Sequence, residues 1–290
     1  MKKILITGGG YIGTSLRDYL SARETDYEID IISLQREGWR EWDFSGYDVI
    51  CHTAGIAHAD RGKIGPEQAG RYYAVNLQLT LEVAEKAKRE GVGQFLFFSS
   101  AIVYGDSAPV GRLKMISAET IPAPANCYGD SKLQAEGRLL QMRDESFRVA
   151  IMRLPMVYGK GSKGNYPLLA RIAVRTPIFP DVQNCRSMLY VENLCEFVRL
   201  IIRNKDAGIF WPQNEEYVCT ANLVKVIAKV HGNRVRLVRW LVPFVKLAGY
   251  FTGLVDKAFG SLAYEWELSV YPENYQVCTF EESVRRTESE

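Results

Sequence analysis

Residues 4–13 read ILITGGGYIG, an apolar run that breaks into glycines and resumes as a helix-compatible segment. In the spacing Gly8-x-Gly10-x-x-Gly13 each glycine has its own task. One makes a sharp turn, one lets backbone N–H groups approach a pyrophosphate, and one lets helix and strand pack closely. Such a run alone is a weak signal, because glycine clusters also occur in plain turns. Its position decides: it follows the first strand and opens the first helix, which is where a doubly wound fold holds a dinucleotide. Gly8, Gly10, Tyr11, Ile12 and Gly13 are therefore expected to contact a dinucleotide cofactor.

The rest of the amino-terminal half agrees with that plan. Segments 3–6, 27–34, 47–55 and 93–105 are continuous apolar runs of the kind found in sheets covered on both faces. Helical patterns occupy 12–23 and 66–90, the latter with Glu82/Lys86 and Glu85/Arg89 spaced as i,i+4 ion pairs. Strands alternating with helices predict an α/β fold, a Rossmann-type doubly wound parallel sheet with right-handed crossovers. With 47% apolar residues in 290, the chain can bury the core such a sheet needs. After about residue 160 the alternation weakens, which predicts a cofactor domain over 1–160 and a smaller substrate lobe over 161–290. Segment 187–203 is expected to return to the first domain.

Charge and cysteine usage remove other classes. Thirty-six basic and 34 acidic residues leave a net charge of +2, without the excess that nucleic acid binding requires. Six scattered cysteines with no C-x-x-C pair and three histidines indicate neither a metal site nor a disulfide framework. The start MKKILITGGG is too short in apolar residues for a signal peptide, and a reduced cytoplasmic setting is expected. Segment 240–255, WLVPFVKLAGYFTGLV, carries Lys246 as its one charge and predicts a helix from Pro243 with Phe244, Leu247, Phe251 and Leu254 on one stripe. Packing on the core or an oligomer interface is the plainer reading of that stripe; peripheral membrane contact through 243–259 is the alternative.

Cofactor identity depends on the end of the second strand, where an NAD site usually carries a carboxylate for the ribose 2′-OH. Here the stretch is Ser33-Leu34-Gln35-Arg36. Arg36 would suit a 2′-phosphate, which favours NADP over NAD. Asp43 stands where an adenine amino group would be met, or else caps a turn. The chemistry is expected at Tyr128-Gly-Asp-Ser-Lys132, a Y-x-x-x-K that sets phenol and ammonium one helical turn apart. An adjacent cation favours ionisation of a tyrosine, and Lys132 is that cation. Ser99 and Ser100 end a strand upstream, where a hydroxyl can polarise a substrate oxygen.

Glycine turn, strand-end serines, Y-x-x-x-K and the later RLPMVYG together resemble an extended short-chain dehydrogenase/reductase of the nucleotide-sugar epimerase/dehydratase group. The usual glycine motif of that group, T-G-x-x-G-x-x-G, is one residue longer than TGGGYIG here, so a tighter turn is expected. The resemblance implies Ser100, Tyr128 and Lys132 as catalytic residues, with Lys132 also on the cofactor ribose. It implies Ala54, in CHTAG, along the cofactor, His52 in packing rather than catalysis, and a structural role for Asn76. It further implies Arg186 on a substrate diphosphate and Asn165 as a substrate contact, with Ser100 and Tyr128 also touching the substrate.

The stretches VYGKGSKGNYPLL, TPIFPDVQNCRSMLYVENLCEFV and YQVCTFEESVRRTE look closest to reductases of UDP-4-keto-6-deoxy-N-acetylhexosamines in bacterial surface polysaccharide synthesis. The implied reaction is NADPH-dependent reduction of the C4 carbonyl. A UDP-sugar 4-epimerase of the UDP-glucose/UDP-galactose type is the alternative, since it uses the same residues. A 4,6-dehydratase would need an acid–base pair after the active serine, where this chain has Ala101-Ile102-Val103. Relatives of this kind dimerise through two helices, here 66–90 and the one beginning at Tyr128, so a homodimer is expected.

Overall fold

The computed structural model describes residues 1–35, 37–57, 65–251 and 253–289. They form two compact units, and the chain passes between them repeatedly. The first comprises 1–105, 121–154 and 194–212, and the second comprises 106–120, 155–193 and 213–290.

The first unit is built on six parallel strands: β1 (Lys2–Thr7), β2 (Tyr27–Ile32), β3 (Val49–His52), β4 (Gln94–Ser100), β5 (Arg148–Leu154) and β6 (Gly208–Phe210). Their order across the sheet is β6-β5-β4-β3-β1-β2. From β1 the chain moves outward to β2 and then crosses back to β3 on the other flank, so the winding reverses between β1 and β3. Ligands of open parallel sheets bind beyond the carboxyl ends of the strands at such a reversal.

Burial follows the apolar runs. Leu5, Ile50, Phe95, Phe97, Val149 and Ile151 lie on one face of the sheet, packed with Val83, Ala84 and Ala87 of helix α3 (Leu79–Arg89) and Ala135 and Leu139 of helix α4 (Cys127–Met142). Strand alternation turns Ile4 and Ile6 to the opposite face, and both are fully buried. Helix α1 (Tyr11–Arg23) packs on β1 and β2 through buried Leu16, Tyr19 and Leu20.

The predicted helix 66–90 is three pieces, the helix α2 (Pro66–Tyr72), a π turn over Tyr73–Gln78, and α3. Its ion pairs differ from the expected i,i+4 set. Glu82 takes Arg40 at 2.7 Å and Lys86 takes Glu90 at 2.6 Å, because the loop ahead of β3 brings Arg40 alongside the helix.

In the second unit short parallel pairs join Met156–Tyr158 to Met188–Tyr190, Ile178–Pro180 to Arg236–Val238, and Met115–Ile116 to Ala263–Tyr264. Buried Tyr158 centres one part of this core. Its ring stacks on Tyr166 at 5.3 Å, and its hydroxyl meets Ser283 at 2.5 Å and accepts from Asn214 at 2.9 Å. The predicted helix at 243–259 is two helices, Val242–Phe251 and Gly253–Phe259. Phe244 and Leu247 are 63% and 57% exposed, so that part of the stripe does not pack on this chain's core. Among the described residues no helix is long and apolar enough to cross a membrane, all six cysteines are free thiols, and no group of metal-ligating side chains is assembled.

Candidate active site

At the reversal point the glycine turn is pressed against the end of β3. Gly8 has φ +127°, and a β-carbon there would lie 2.7 Å from the Ala54 nitrogen. A β-carbon on Gly13 would lie 2.0 Å from the Gly8 oxygen and 2.9 Å from Thr53 Oγ1. The Thr53 hydroxyl donates to the Gly8 oxygen at 2.8 Å, and Ala54 N–H donates to the Thr7 oxygen at 2.8 Å, so β3 clamps the turn from one side. Gly10 is different: a β-carbon there would meet nothing within 4 Å.

Gly10 is also the extended residue before α1, and no side chain caps the first turn, Tyr11, Ile12 and Gly13. Uncapped N–H groups at a helix start, beside open space, suit a phosphate. The turn therefore fits a dinucleotide: two glycines satisfy packing and the third keeps the approach clear.

The adenosine end is less fully drawn. Ser33 and Gln35 are exposed after β2, with Gln35 N–H donating to Ser33 Oγ at 3.4 Å. Arg36 lies outside the described residues. The Asp43 carboxylate is exposed, and the Ser45 side chain together with the Ser45 N–H, which donates at 2.9 Å and closes a turn, holds its carboxyl below the usual range.

Ser100, Tyr128 and Lys132 are brought together at the carboxyl end of β4. Ser100 caps the short 3₁₀ turn Ala101–Tyr104, its hydroxyl accepting Ile102 N–H at 3.3 Å. Helix α4 starts at Cys127 because Asn126 caps it, accepting Gly129 N–H at 3.0 Å. Gly129 lets that first turn come close. A β-carbon on it would lie 2.7 Å from the Ile102 oxygen and 2.9 Å from Pro124. The result is that the Tyr128 phenol is brought beside the Ser100 side chain. Burial raises the Tyr128 phenol above its ordinary value, the bond to Ser100 draws it partly back, and Tyr72 adds to the rise.

Lys132 lies on the buried face of α4. Its ammonium donates to the Phe98 oxygen at 2.9 Å and lies 4.5 Å from the centre of the Phe97 ring. Burial lowers it to about 8, opposed by Glu136 one turn further along α4. The side chain runs back along the buried face of α4 onto β4, where backbone and ring receive its charge.

Several supporting residues were not singled out as site residues by sequence reasoning. Asn76, fully buried in the π turn, bonds both backbone groups of Ile56, accepting N–H at 2.9 Å and donating to the oxygen at 3.0 Å. It also donates to Ser131 Oγ at 3.3 Å, tying the loop after β3 to α4. His52 is a core residue, as expected, stacked on Phe95 and Phe97. Thr80 gives its hydrogen to the Asn76 oxygen, so it accepts from His52 Nε2 at 3.0 Å, and Nδ1 then accepts from Thr7 at 2.8 Å. Burial pushes His52 down to about 3, which keeps this neutral tautomer.

Behind the serines, Arg153 and Glu136 form a buried forked pair at 2.7 and 3.0 Å. Ser99 donates to the same carboxylate, and Arg153 donates to the Tyr104 hydroxyl at 2.7 Å. Of the two strand-end serines, Ser99 is thus committed to the core, while Ser100 faces Tyr128.

The second unit brings the two predicted substrate contacts together. Arg186 Nη1 donates to the Lys257 oxygen at 2.7 Å, and Asn165 Nδ2 reaches the same oxygen at 3.4 Å. Among the described residues no carboxylate pairs with Arg186, and burial lowers its guanidinium. A half-buried cation without a counter-ion is costly and suits an anionic ligand.

Residues 4–218 match the NAD dependent epimerase/dehydratase family. The UDP-glucose 4-epimerase of Vibrio cholerae is 30% identical, over 90% of this chain and 86% of its own. The GDP-6-deoxy-D-mannose reductase of Pseudomonas aeruginosa is 31% identical over 57% of this chain and 55% of its own. A structure of RMD from Pseudomonas aeruginosa complexed with NADPH superposes with a TM-score of 0.70 at 22% identity, covering 98% of both chains.

Proposed function

As the chain belongs to the NAD dependent epimerase/dehydratase family, we propose that this NAD(P)-dependent enzyme reduces the C4 keto group of a UDP-4-keto-6-deoxy-N-acetylhexosamine in bacterial surface polysaccharide synthesis, with NADPH as reductant. The observation that carries this reading is the convergence of Ser100, at the end of β4, and Tyr128, in the first turn of α4, where Gly129 lets the two segments approach. A phenol loaded with its proton is set to donate, which is the direction a ketone reduction requires.

The turn of Gly8, Gly10, Tyr11, Ile12 and Gly13 would hold the cofactor diphosphate, with Ala54 and Lys132 along its ribose. When bound, the nicotinamide supplies the hydride that adds to C4. Tyr128 gives its proton to the C4 oxygen as the carbonyl becomes an alcohol, and recovers one from solvent afterwards. Ser100 donates a hydrogen bond to the same oxygen as negative charge develops on it. Arg186 takes the substrate diphosphate, for which its unneutralised guanidinium is suited, and Asn165 contacts the substrate beside it. The carboxylate-free stretch Ser33-Leu34-Gln35-Arg36 supports NADP over NAD, and Asp43 remains the adenine contact in this reading.

A UDP-sugar 4-epimerase is the second reading, favoured by the 30% identity with the Vibrio cholerae epimerase over most of both chains. Dehydration is disfavoured, since Ala101-Ile102-Val103 after Ser100 offers no acid–base pair. Mixing the purified protein with NADPH and a UDP-4-keto-6-deoxy-N-acetylhexosamine, and following loss of reduced-cofactor absorbance, tests the choice. Substrate-dependent oxidation supports the reductase. Interconversion of UDP-hexose epimers without added cofactor, and no such oxidation, replaces it with the epimerase. Helices 66–90 and α4 are the proposed homodimer surface, which light scattering tests.

A further inference from the structure

One face of the second unit is not used by the chemistry above. Trp240, Phe244 and Leu247 are 62%, 63% and 57% exposed. Their spacing of four and three residues puts them on one side of the helical run Arg239–Leu241 and Val242–Phe251. Trp240 and Phe244 touch edge to face at 6.5 Å, so they form one continuous aromatic patch.

The charge around this patch has a single sign along the chain. From 229 to 255 there are Lys229, Arg234, Arg236, Arg239 and Lys246, and no aspartate or glutamate, in a chain whose net charge is only +2. Arg234, Arg236, Arg239 and Lys246 are all exposed. Two acidic groups lie beside this region, Asp181 from a separate segment and Asp256 directly after it. Asp181 meets Arg239 at 3.3 Å, an ion pair with the arginine side chain 89% exposed, and Asp256 accepts the Val110 N–H at 3.3 Å. Neither neutralises Arg234, Arg236 or Lys246. The loop beside Lys246 adds exposed Arg112 and Leu113.

We propose that this face is a peripheral docking surface for an anionic phospholipid bilayer. Trp240, Phe244 and Leu247 enter the boundary between headgroups and acyl chains, and Arg234, Arg236 and Lys246 engage the anionic headgroups. Charge complementarity selects this occupant, because an exposed apolar patch on a stretch that carries exposed Arg234, Arg236 and Lys246, with Asp181 paired to Arg239 alone, matches a surface that is apolar beneath and negative above. Docking in this way holds the protein on a membrane without a spanning helix, and it does not depend on whether the reaction is reduction or epimerisation.

The test is co-sedimentation of the full chain with vesicles of phosphatidylglycerol and phosphatidylcholine, against vesicles of phosphatidylcholine alone. Binding to the anionic vesicles is expected, weakening as salt is added, with at least ~10-fold less binding to the neutral ones. Trp240→Ser with Phe244→Ser is expected to abolish pelleting and leave NADPH binding unchanged. Arg236→Gln with Lys246→Gln, which leaves the apolar residues in place, provides a second variant and is expected to erase the preference for anionic lipid. Equal binding to both vesicle types, no binding at low salt, or wild-type pelleting by either variant would overturn the proposal. So would a change from dimer to monomer in the serine variant when the wild type fails to pellet, which would assign the face to a second copy of the chain.

Discussion

A β-carbon on Gly13 would lie 2.0 Å from the carbonyl oxygen of Gly8. The first helix can therefore leave the first strand at this angle only without a side chain at 13. Gly13→Ala is expected to cost about 1–3 kcal/mol by overpacking, read as a lower urea midpoint, and to weaken NADPH binding as well. Gly10→Ala separates the two effects, because its new methyl meets open space in the protein. Thermal stability close to wild type with weakened NADPH affinity by calorimetry is the expected result.

Tyr128 is the proton donor in the proposed reaction, so Tyr128→Phe keeps ring packing against Tyr72 and removes only the hydroxyl. Turnover is expected to fall at least ~100-fold, on the scale of a lost general acid. Ser100→Ala should lower turnover while leaving NADPH affinity near wild type. Single-turnover measurement of cofactor oxidation distinguishes these losses from slow product release, and near-normal rates for Tyr128→Phe would remove it from the chemistry.

Lys132 titrates at about 8 in the folded protein against 10.5 when unperturbed. If its cation is needed on the cofactor ribose, kcat/KM should fall as pH rises through about 8. Stability should move the other way. Between about 8 and 10.5 the unfolded chain binds this proton more readily than the folded one, so the contribution of Lys132 to stability rises with pH in that window. Lys132→Met should remove both trends, measured by pH–rate profiles and by urea midpoints across the same range.

The Glu136–Arg153 pair is buried on both sides, with side chains 2% and 8% exposed. Glu136→Gln leaves a buried guanidinium short of its counter-charge and is expected to cost about 3–5 kcal/mol in urea unfolding. Glu136→Leu combined with Arg153→Met removes both charges and should recover much of that loss. A double variant no better than the single one would indicate that Ser99 and Tyr104 depend on the pair as strongly as it depends on them.

Arg186 is proposed to meet a diphosphate with a planar fork, a geometry that an ammonium does not reproduce. Arg186→Lys is expected to raise KM for the nucleotide-sugar roughly 10- to 100-fold, the scale of a charged hydrogen bond. Dissociation constants for NADPH should stay within error of wild type, and a parallel loss of both would place Arg186 in the fold rather than on the substrate.

Much of the first unit was legible because periodicity and spacing act locally. A buried parallel strand needs an apolar run, a phosphate turn needs glycine, and Tyr128 and Lys132 share a helix face by their separation alone. Long-range relations were less visible. Nothing local says that Lys132 turns to the Phe98 oxygen, or that Ser99 donates to Glu136 while its neighbour faces Tyr128. Gly129 reads as an ordinary helix residue until the approach of Ile102 is known. Asn76 has a structural place by resemblance, but its link between Ile56 and Ser131 spans three segments that only folding brings together. The stripe at 244 and 247 shows the opposite failure: helical spacing announces an apolar face and does not say what lies against it.

The π turn at Tyr73–Gln78 has a consequence for how this helix can vary. A residue removed from an α-helix rotates everything on one side by ~100° about the axis. Here such a loss would put Tyr72, whose ring lies 6.0 Å from that of Tyr128, out of phase with Thr80, which bonds His52. The wide turn lets Asn76 reach Ile56 while both neighbours keep their own bearings. Residue count between positions 72 and 80 is thus a constraint separate from residue identity: this stretch can exchange side chains more readily than it can change length.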